Sequence, residues 1–139
     1  LNEMLTDDYW MVRYHALSSL SNLYNTIALR DVESVEPLIE ALKDEHGMVR
    51  LTATSAVSRF RDARAVDPLI EVLRNDEFAG ARAYAAMALG HYGDNLHSGF
   101  FIEHSLTAVE HLIAALKDED KDVRVDAEYA LRKLGVDNG

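Results

Sequence analysis

The sequence predicts an all-α fold, a solenoid of about four stacked helical hairpins in which the first hairpin is truncated. Three observations lead to this prediction. One apolar helical phrase occurs three times, each copy runs into a short acidic turn, and each turn leads to a second helix that opens with arginine. Self-similarity of this kind is the signature of repeat proteins, in which every hairpin buries its apolar face against its neighbours. The three copies are Val35–Leu42, Val66–Leu73 and Val109–Leu116.

The second helix of each hairpin follows a common residue pattern. Small residues, mostly alanine, stand three and six positions after the arginine, and larger apolar residues stand seven and ten positions after it. These positions share one face of an α-helix, and small residues there allow neighbouring helices to approach closely. The pattern therefore indicates packing. The arginines that open these helices are Arg13, Arg50, Arg82 and Arg124.

The alignment of the copies gives a single repeat domain over residues 1–139. The repeats span about residues 1–31, 32–64, 65–94 and 108–135, with an insertion at 95–107. The segment 1–7 aligns without a gap on 38–44, so the sequence starts inside a first helix, and we expect a fragment of a longer array. The alternative is a naturally shortened first repeat that caps the stack. Gly135 is suited to end the last helix in a left-handed conformation.

The repeated phrase resembles a known repeat type. Ala-Val-Glu-Pro-Leu-Ile, an acidic turn and Val-Arg-x-x-Ala-x-x-Ala-Leu are similar to the HEAT-like repeat named after phycobilisome lyases, and the resemblance covers nearly the whole chain. It implies the solenoid fold. It says less about function, because such repeats occur in bilin lyase subunits, in scaffolds and in accessory domains of enzymes. The chain departs from the pattern at Asn75 and Ala81.

Composition narrows the classes of partner. The formal net charge is −10, from 24 acidic and 14 basic residues. Because phosphate neutralisation by lysine and arginine dominates nucleic-acid binding, this balance argues against a nucleic-acid partner. No apolar run approaches the roughly 20 residues of a membrane span, so we expect no membrane partner. The absence of cysteine excludes disulfides and thiolate sites, and a cytoplasmic location is the default expectation.

The recurring arginines have two interpretations, an anion-binding row or a structural ladder of arginine–carboxylate hydrogen bonds between turns. Recurrence once per repeat favours the ladder. Its expected acidic members are Asp7, Asp44 and Asp118. No other pattern indicates catalysis, a cofactor or a metal: the acidic run 118–122 lacks the glycine and glutamate of a calcium loop, and the histidines lack the spacing of a helical zinc site.

The best candidate for partner binding is the outward face of the second helices, which lies on the concave side of such solenoids. A merely solvated face would carry lysine, glutamate and glutamine, whereas this one carries aromatic, methionine and aliphatic residues. A structural interpretation is that curvature or dimerisation buries part of this face. We call it the concave face. Its predicted contact residues are Tyr14, His15, Leu51, Tyr84, Met87, Val125 and Tyr129.

The insertion supplies a second candidate. Phe100, Phe101 and Ile102 follow Gly99 within it. Insertions in repeat proteins often carry function, so these residues form either a recognition loop, an apolar cluster tucked under its own loop, or a short helix. We therefore expect a non-catalytic scaffold that binds a peptide or protein on the concave face. The alternatives are a bilin-lyase-like subunit or enzyme accessory domain, in which His15 and Tyr84 would contact the ligand, and self-association through the truncated first repeat.

Overall fold

The computed structural model describes residues 3–26, 35–60, 62–92 and 100–136, with the backbone alone for 24–26 and 100–105. These ranges contain seven α-helices and no strand. A 3₁₀ turn at Met4–Thr6 precedes the first helix. The helices are α1 (Trp10–Thr26), α2 (Glu36–Ala41), α3 (Gly47–Val57), α4 (Val66–Asn75), α5 (Ala79–His91), α6 (Phe100–Ala115) and α7 (Lys121–Lys133).

The helices form two rows, as the repeat alignment predicts. The second helices pack side by side in the order α1, α3, α5 and α7, while α2, α4 and α6 lie against them from one side. Leucines from the first helices fill the space between the rows, and alanines of the second helices are fully buried where those helices meet. The leucines are Leu38, Leu69 and Leu112, and the alanines are Ala53, Ala85 and Ala127. The predicted all-α solenoid is therefore confirmed.

One glycine sets the distance between α5 and α7. A Cβ atom placed on Gly90 would lie 2.7 Å from the Cα of Ala130 and 2.9 Å from its Cβ. Those atoms belong to the neighbouring helix, so a side chain at this position would push the helices apart. At this position the backbones of α5 and α7 therefore lie in direct contact, with Gly90 of one helix against Ala130 of the other.

The ends of the helices follow local sequence. The side chain of Asp120 caps α7 and accepts hydrogen bonds from the N–H groups of Asp122 at 2.9 Å and Val123 at 3.2 Å. At the other end Gly135 has φ of 78°, and the N–H of Val136 donates to the carbonyl of Leu131 at 2.8 Å. This is the predicted left-handed helix stop.

The insertion is only partly as predicted. Residues 100–107 are the first half of α6, so the loop interpretations are wrong for these residues. The alternative of a short helix over about 101–105 is closer, but the helix is longer and continuous with the first helix of the fourth repeat. The physical reason is that no glycine or proline interrupts residues 100–115, so the helix extends backwards from the repeat. Residues 95–99 lie outside the described ranges.

Candidate protein-interaction face

The arginines at the starts of the second helices join consecutive repeats. In the first three of them, Arg13, Arg50 and Arg82, the guanidinium donates from Nε and Nη2 to both carboxylate oxygens of the aspartate in the following turn, and from Nη1 to a backbone carbonyl of its own turn. For Arg13 the distances are 2.7 and 2.9 Å to Asp44 and 2.7 Å to the carbonyl of Asp7. Arg50 binds Asp76 at 2.6 and 3.1 Å. Arg82 binds Asp118 at 2.9 Å through both nitrogens.

This geometry corrects one detail of the predicted ladder and completes another. Asp7 contributes its backbone carbonyl to Arg13, and its carboxylate instead accepts the N–H of Tyr9 at 2.9 Å. In the third turn, where Asn75 and Asp76 are both candidates from the sequence, the ladder carboxylate is that of Asp76. Arg124 repeats only half of the pattern, donating to the carbonyls of Asp118 at 2.7 Å and Glu119 at 2.9 Å.

The charges of the ladder are matched internally. Hydrogen bonding to Arg82 lowers the pKa of Asp118 against the opposing effect of burial. Burial acts to raise the pKa of Asp44, but hydrogen bonds from Arg13 and the His46 N–H outweigh it, and the pKa is lowered. Each bidentate arginine already binds an ionised carboxylate, so it has few donors left for an external anion. The geometry is that of hydrogen bonds that hold consecutive repeats together.

The concave face has its most exposed apolar residues on α5 and α7. The exposed fractions are 40% for Tyr84, 52% for Val125 and 43% for Tyr129. The ammonium of Lys133 lies 5.9 Å from the centre of the Tyr129 ring. The remaining predicted contact residues are less uniform: His15 is exposed, while Tyr14, Leu51 and Met87 are half-buried. The structure thus brings the exposed residues Tyr84, Val125 and Tyr129 onto adjacent helices.

A cavity of about 340 Å³ opens on this face between α5 and α7. Its lining on α5 is formed by Ala79, Gly80, Ala83 and Tyr84, and its apolar lining on α7 by Val125. Three carboxylates complete the lining, those of Asp120, Asp122 and Asp126. Burial, and then the neighbouring charge of Asp122, raise the pKa of Asp126. The cavity combines an apolar wall with negative charge.

The family of the chain follows from its sequence match. The family model for HEAT repeats matches residues 1–90 and 66–138. The chain belongs to the HEAT-repeat family. No curated protein matches the sequence at a significant level.

Solved structures agree with this assignment at the level of the fold. An engineered protein superimposes with a TM-score of 0.79 at 23% identity, covering 96% of this chain, which spans only 60% of that protein's length. The complex of CpcE and CpcF of phycocyanin lyase from Nostoc sp. PCC7120 gives 0.71 at 21% identity, covering 96% of this chain and 75% of that one. A computationally designed armadillo repeat protein for modular peptide recognition gives 0.69 at 19% identity, covering 94% of this chain and 61% of that one.

The HEAT-repeat chain also carries an aromatic cluster that the pattern of the helix faces did not predict. The Trp10 ring stacks on the imidazole of His46, with ring centres 3.9 Å apart and planes inclined by 2°, and the edge of Tyr14 approaches Trp10. In the next repeat, the ring of Phe78, just before α5, fills the space in which a Cβ of Gly47 would lie. These rings link the starts of α1, α3 and α5.

A recurring signal in the turns points to two of these rings, those of His46 and Phe78; in the first turn it falls on Tyr9, next to the stacked Trp10. Three turns of the HEAT-repeat chain read aspartate, a second acid and then an aromatic or histidine ring, at 7–9, 44–46 and 76–78, whereas the fourth has Asp120 in the ring position. Since these positions precede the helices, the periodicity of the helix faces does not include them.

Neither a metal-binding group nor a membrane-spanning helix is found among the described residues. No group of three or more histidine or acidic side chains in these ranges is arranged to hold a metal. None of the described helices is long and apolar enough to cross a membrane. Phe100, Phe101 and Ile102 lie in α6, and their side chains fall outside the described part of the chain.

Proposed function

We propose that this HEAT-repeat chain is a non-catalytic scaffold that binds a peptide or protein through its concave face. The observation that carries the proposal is the exposure of Tyr84, Val125 and Tyr129 on adjacent helices beside an open cavity. None of the three belongs to the buried core or to the partly buried residues packed against it. Exposed aromatic and aliphatic groups clustered in this way are typical of interface centres.

Selection of displayed peptides tests this function without requiring an identified partner. Random peptides are selected on the unaltered chain and then measured against the variant Tyr84→Ser/Val125→Ser/Tyr129→Ser. Each anchor contributes about 1–2 kcal/mol in typical interfaces, so we expect affinity to fall by roughly 100-fold or more. Circular dichroism establishes that the variant is folded.

A matched control uses exposed apolar residues on the opposite row. Leu106 and Ile113 are exposed on α6, so Leu106→Ser/Ile113→Ser removes comparable surface away from the concave face. The selected peptides should bind this control as they bind the parent chain. If the peptides bind all three proteins equally, or if no peptide is enriched, the concave-face proposal is wrong.

The bilin-lyase-like alternative predicts a different observation. If a bilin binds on the concave face, the absorption spectrum of the bilin should change when the parent chain is added. The variant Tyr84→Ser/Val125→Ser/Tyr129→Ser should not produce this change. The scaffold function predicts no bilin uptake by the parent chain. The likeness to the lyase complex supports the common fold, and at 21% identity it favours neither function.

A further inference from the structure

The cavity between α5 and α7 indicates the chemistry of the partner. We infer that the concave face takes a peptide whose lysine or arginine side chain enters this cavity, with its aliphatic stem against Tyr84 and Val125 and its cation beside Asp122 and Asp126. This inference rests on the proposed scaffold function and specifies the partner as basic.

The first support is the match between the cavity and a long cationic side chain. Its volume of about 340 Å³ lies at the lower end of the range for ligand pockets. The wall of Tyr84, Ala83 and Val125 is apolar, and all of the charged residues that line the cavity are acidic. Lysine and arginine bury their methylene stems on apolar surface while the charged head stays near water or a carboxylate, and the face of a tyrosine ring also attracts cations.

The second support is that these acids depart from the repeat pattern. At the position of Asp126, two residues after the ladder arginine, the other repeats have His15, Thr52 and Tyr84. At the position of Asp122 they have Met11, Met48 and Gly80. The aspartates that recur in the turns bind elsewhere, Asp44, Asp76 and Asp118 in the ladder and Asp7 to the N–H of Tyr9. The negative charge of this cavity therefore belongs to the fourth repeat and is not a general property of the stack.

The third support is that one carboxylate of the cavity, that of Asp126, has no local structural role. Asp120 caps α7, and Asp122 lies in the first turn, where a negative charge is favourable to the helix dipole. Asp126 lies one turn further along, where neither reason applies. Within the described ranges no ion pair forms at Asp122 or Asp126, and the burial and mutual repulsion that raise the pKa of Asp126 would be relieved by a cation.

The test compares two fluorescein-labelled nonapeptides, one of three Gly-Leu-Arg units and one of three Gly-Leu-Gln units. Their binding to the whole chain is followed by fluorescence anisotropy at physiological ionic strength, where distant charges are screened. We expect the arginine peptide to bind more tightly, and Asp122→Asn/Asp126→Asn to weaken it about tenfold while leaving the glutamine peptide unchanged. Amide shifts in α5 and α7 on titration with the arginine peptide should locate the site.

A control of equal charge separates this site from general attraction to an acidic protein. Glu71→Gln/Glu110→Gln removes two exposed carboxylates from the first-helix row and should change binding of the arginine peptide by less than about twofold. Equal weakening by both variants overturns the inference. So does an arginine peptide that binds no more tightly than the glutamine peptide, or that does not bind.

Failure of this inference is distinguishable from failure of the scaffold proposal. If peptides selected on the parent chain are lost with Tyr84→Ser/Val125→Ser/Tyr129→Ser but retained by Asp122→Asn/Asp126→Asn, the concave face binds peptides without a cation in the cavity. If the serine variant retains them, the scaffold proposal itself fails.

Discussion

The third repeat, α4 with α5, and the fourth repeat, α6 with α7, follow one sequence pattern in different surroundings. Ile70 of the third repeat is 6% exposed, and Ile39 of the second is 4% exposed, because the next hairpin covers each of them. Ile113 occupies the same position in the fourth repeat and is 45% exposed. The repeat pattern therefore identifies the packing position, while the neighbouring hairpin decides whether the residue is buried.

The second helices differ in the same way. Ala86 and Gly90 of α5 are buried against α7. The equivalent residues of α7 are Glu128 and Arg132, which are exposed and form an ion pair at 2.5 Å. At these two positions α5 has small buried residues, whereas α7 has charged residues that are exposed in the described part of the chain. Residues at the same aligned position can therefore be buried in the core of one repeat and exposed to solvent in the next.

The largest expected effect comes from truncating the isoleucine of each repeat. Ile70→Ala should lower the free energy of unfolding by about 3 kcal/mol, because it opens a cavity in a packed interface. Ile113→Ala should lower it by less than about 1 kcal/mol, since the side chain is already half in water. Urea unfolding measures both. Equal losses would show that Ile113 is covered in solution.

The ladder gives the second comparison. Arg82→Gln leaves the Asp118 carboxylate without its bidentate donor in a largely buried site and should cost about 2 kcal/mol or more. Arg124→Gln removes hydrogen bonds to two backbone carbonyls and no ion pair among the described residues, so about 1 kcal/mol or less is expected. Both substitutions remove one positive charge, which makes each the control for the other. A loss at Arg124 as large as that at Arg82 would contradict the comparison.

The smallest effect is on pH dependence, and two aspartates of the fourth repeat should differ in sign. The folded pKa of Asp118 is lowered, so its stabilisation is present above the unfolded pKa of about 3.9 and is lost as the pH falls below it. The folded pKa of Asp126 is raised, so its contribution is present at low pH and is lost as the pH rises through that pKa. Stability measured from about pH 2 to 7 should therefore fall less steeply in acid for Asp118→Asn than for the parent, and more steeply for Asp126→Asn. Identical slopes would contradict both assignments.

The sequence predicts the parts of this molecule that repeat and misses those that occur once. The helices, the two rows and the ladder arginines follow from periodicity, because each repeat solves the same packing problem. For the insertion the sequence offers a short helix only as one of three alternatives and does not predict that it joins the first helix of the fourth repeat, since an insertion has no equivalent in the other copies with which to align it. The cavity with Asp126 was missed because it depends on how α5 and α7 pack together, which the sequence of its lining residues does not show.

The ladder also has a consequence for the lengths of the repeats. Its three bidentate pairs join residues separated by 31, 26 and 36 positions along the chain, yet the donor and acceptor atoms are the same in each. What these pairs share is an aspartate whose carboxylate also accepts the N–H two residues later, so the acceptor is oriented by its own turn and not by the preceding linker. Extra residues such as Asn75, or an inserted helical segment, can therefore enter between ladder members while the same hydrogen bonds form. Sequence can be inserted between the hairpins of this array without loss of the bonds that join them.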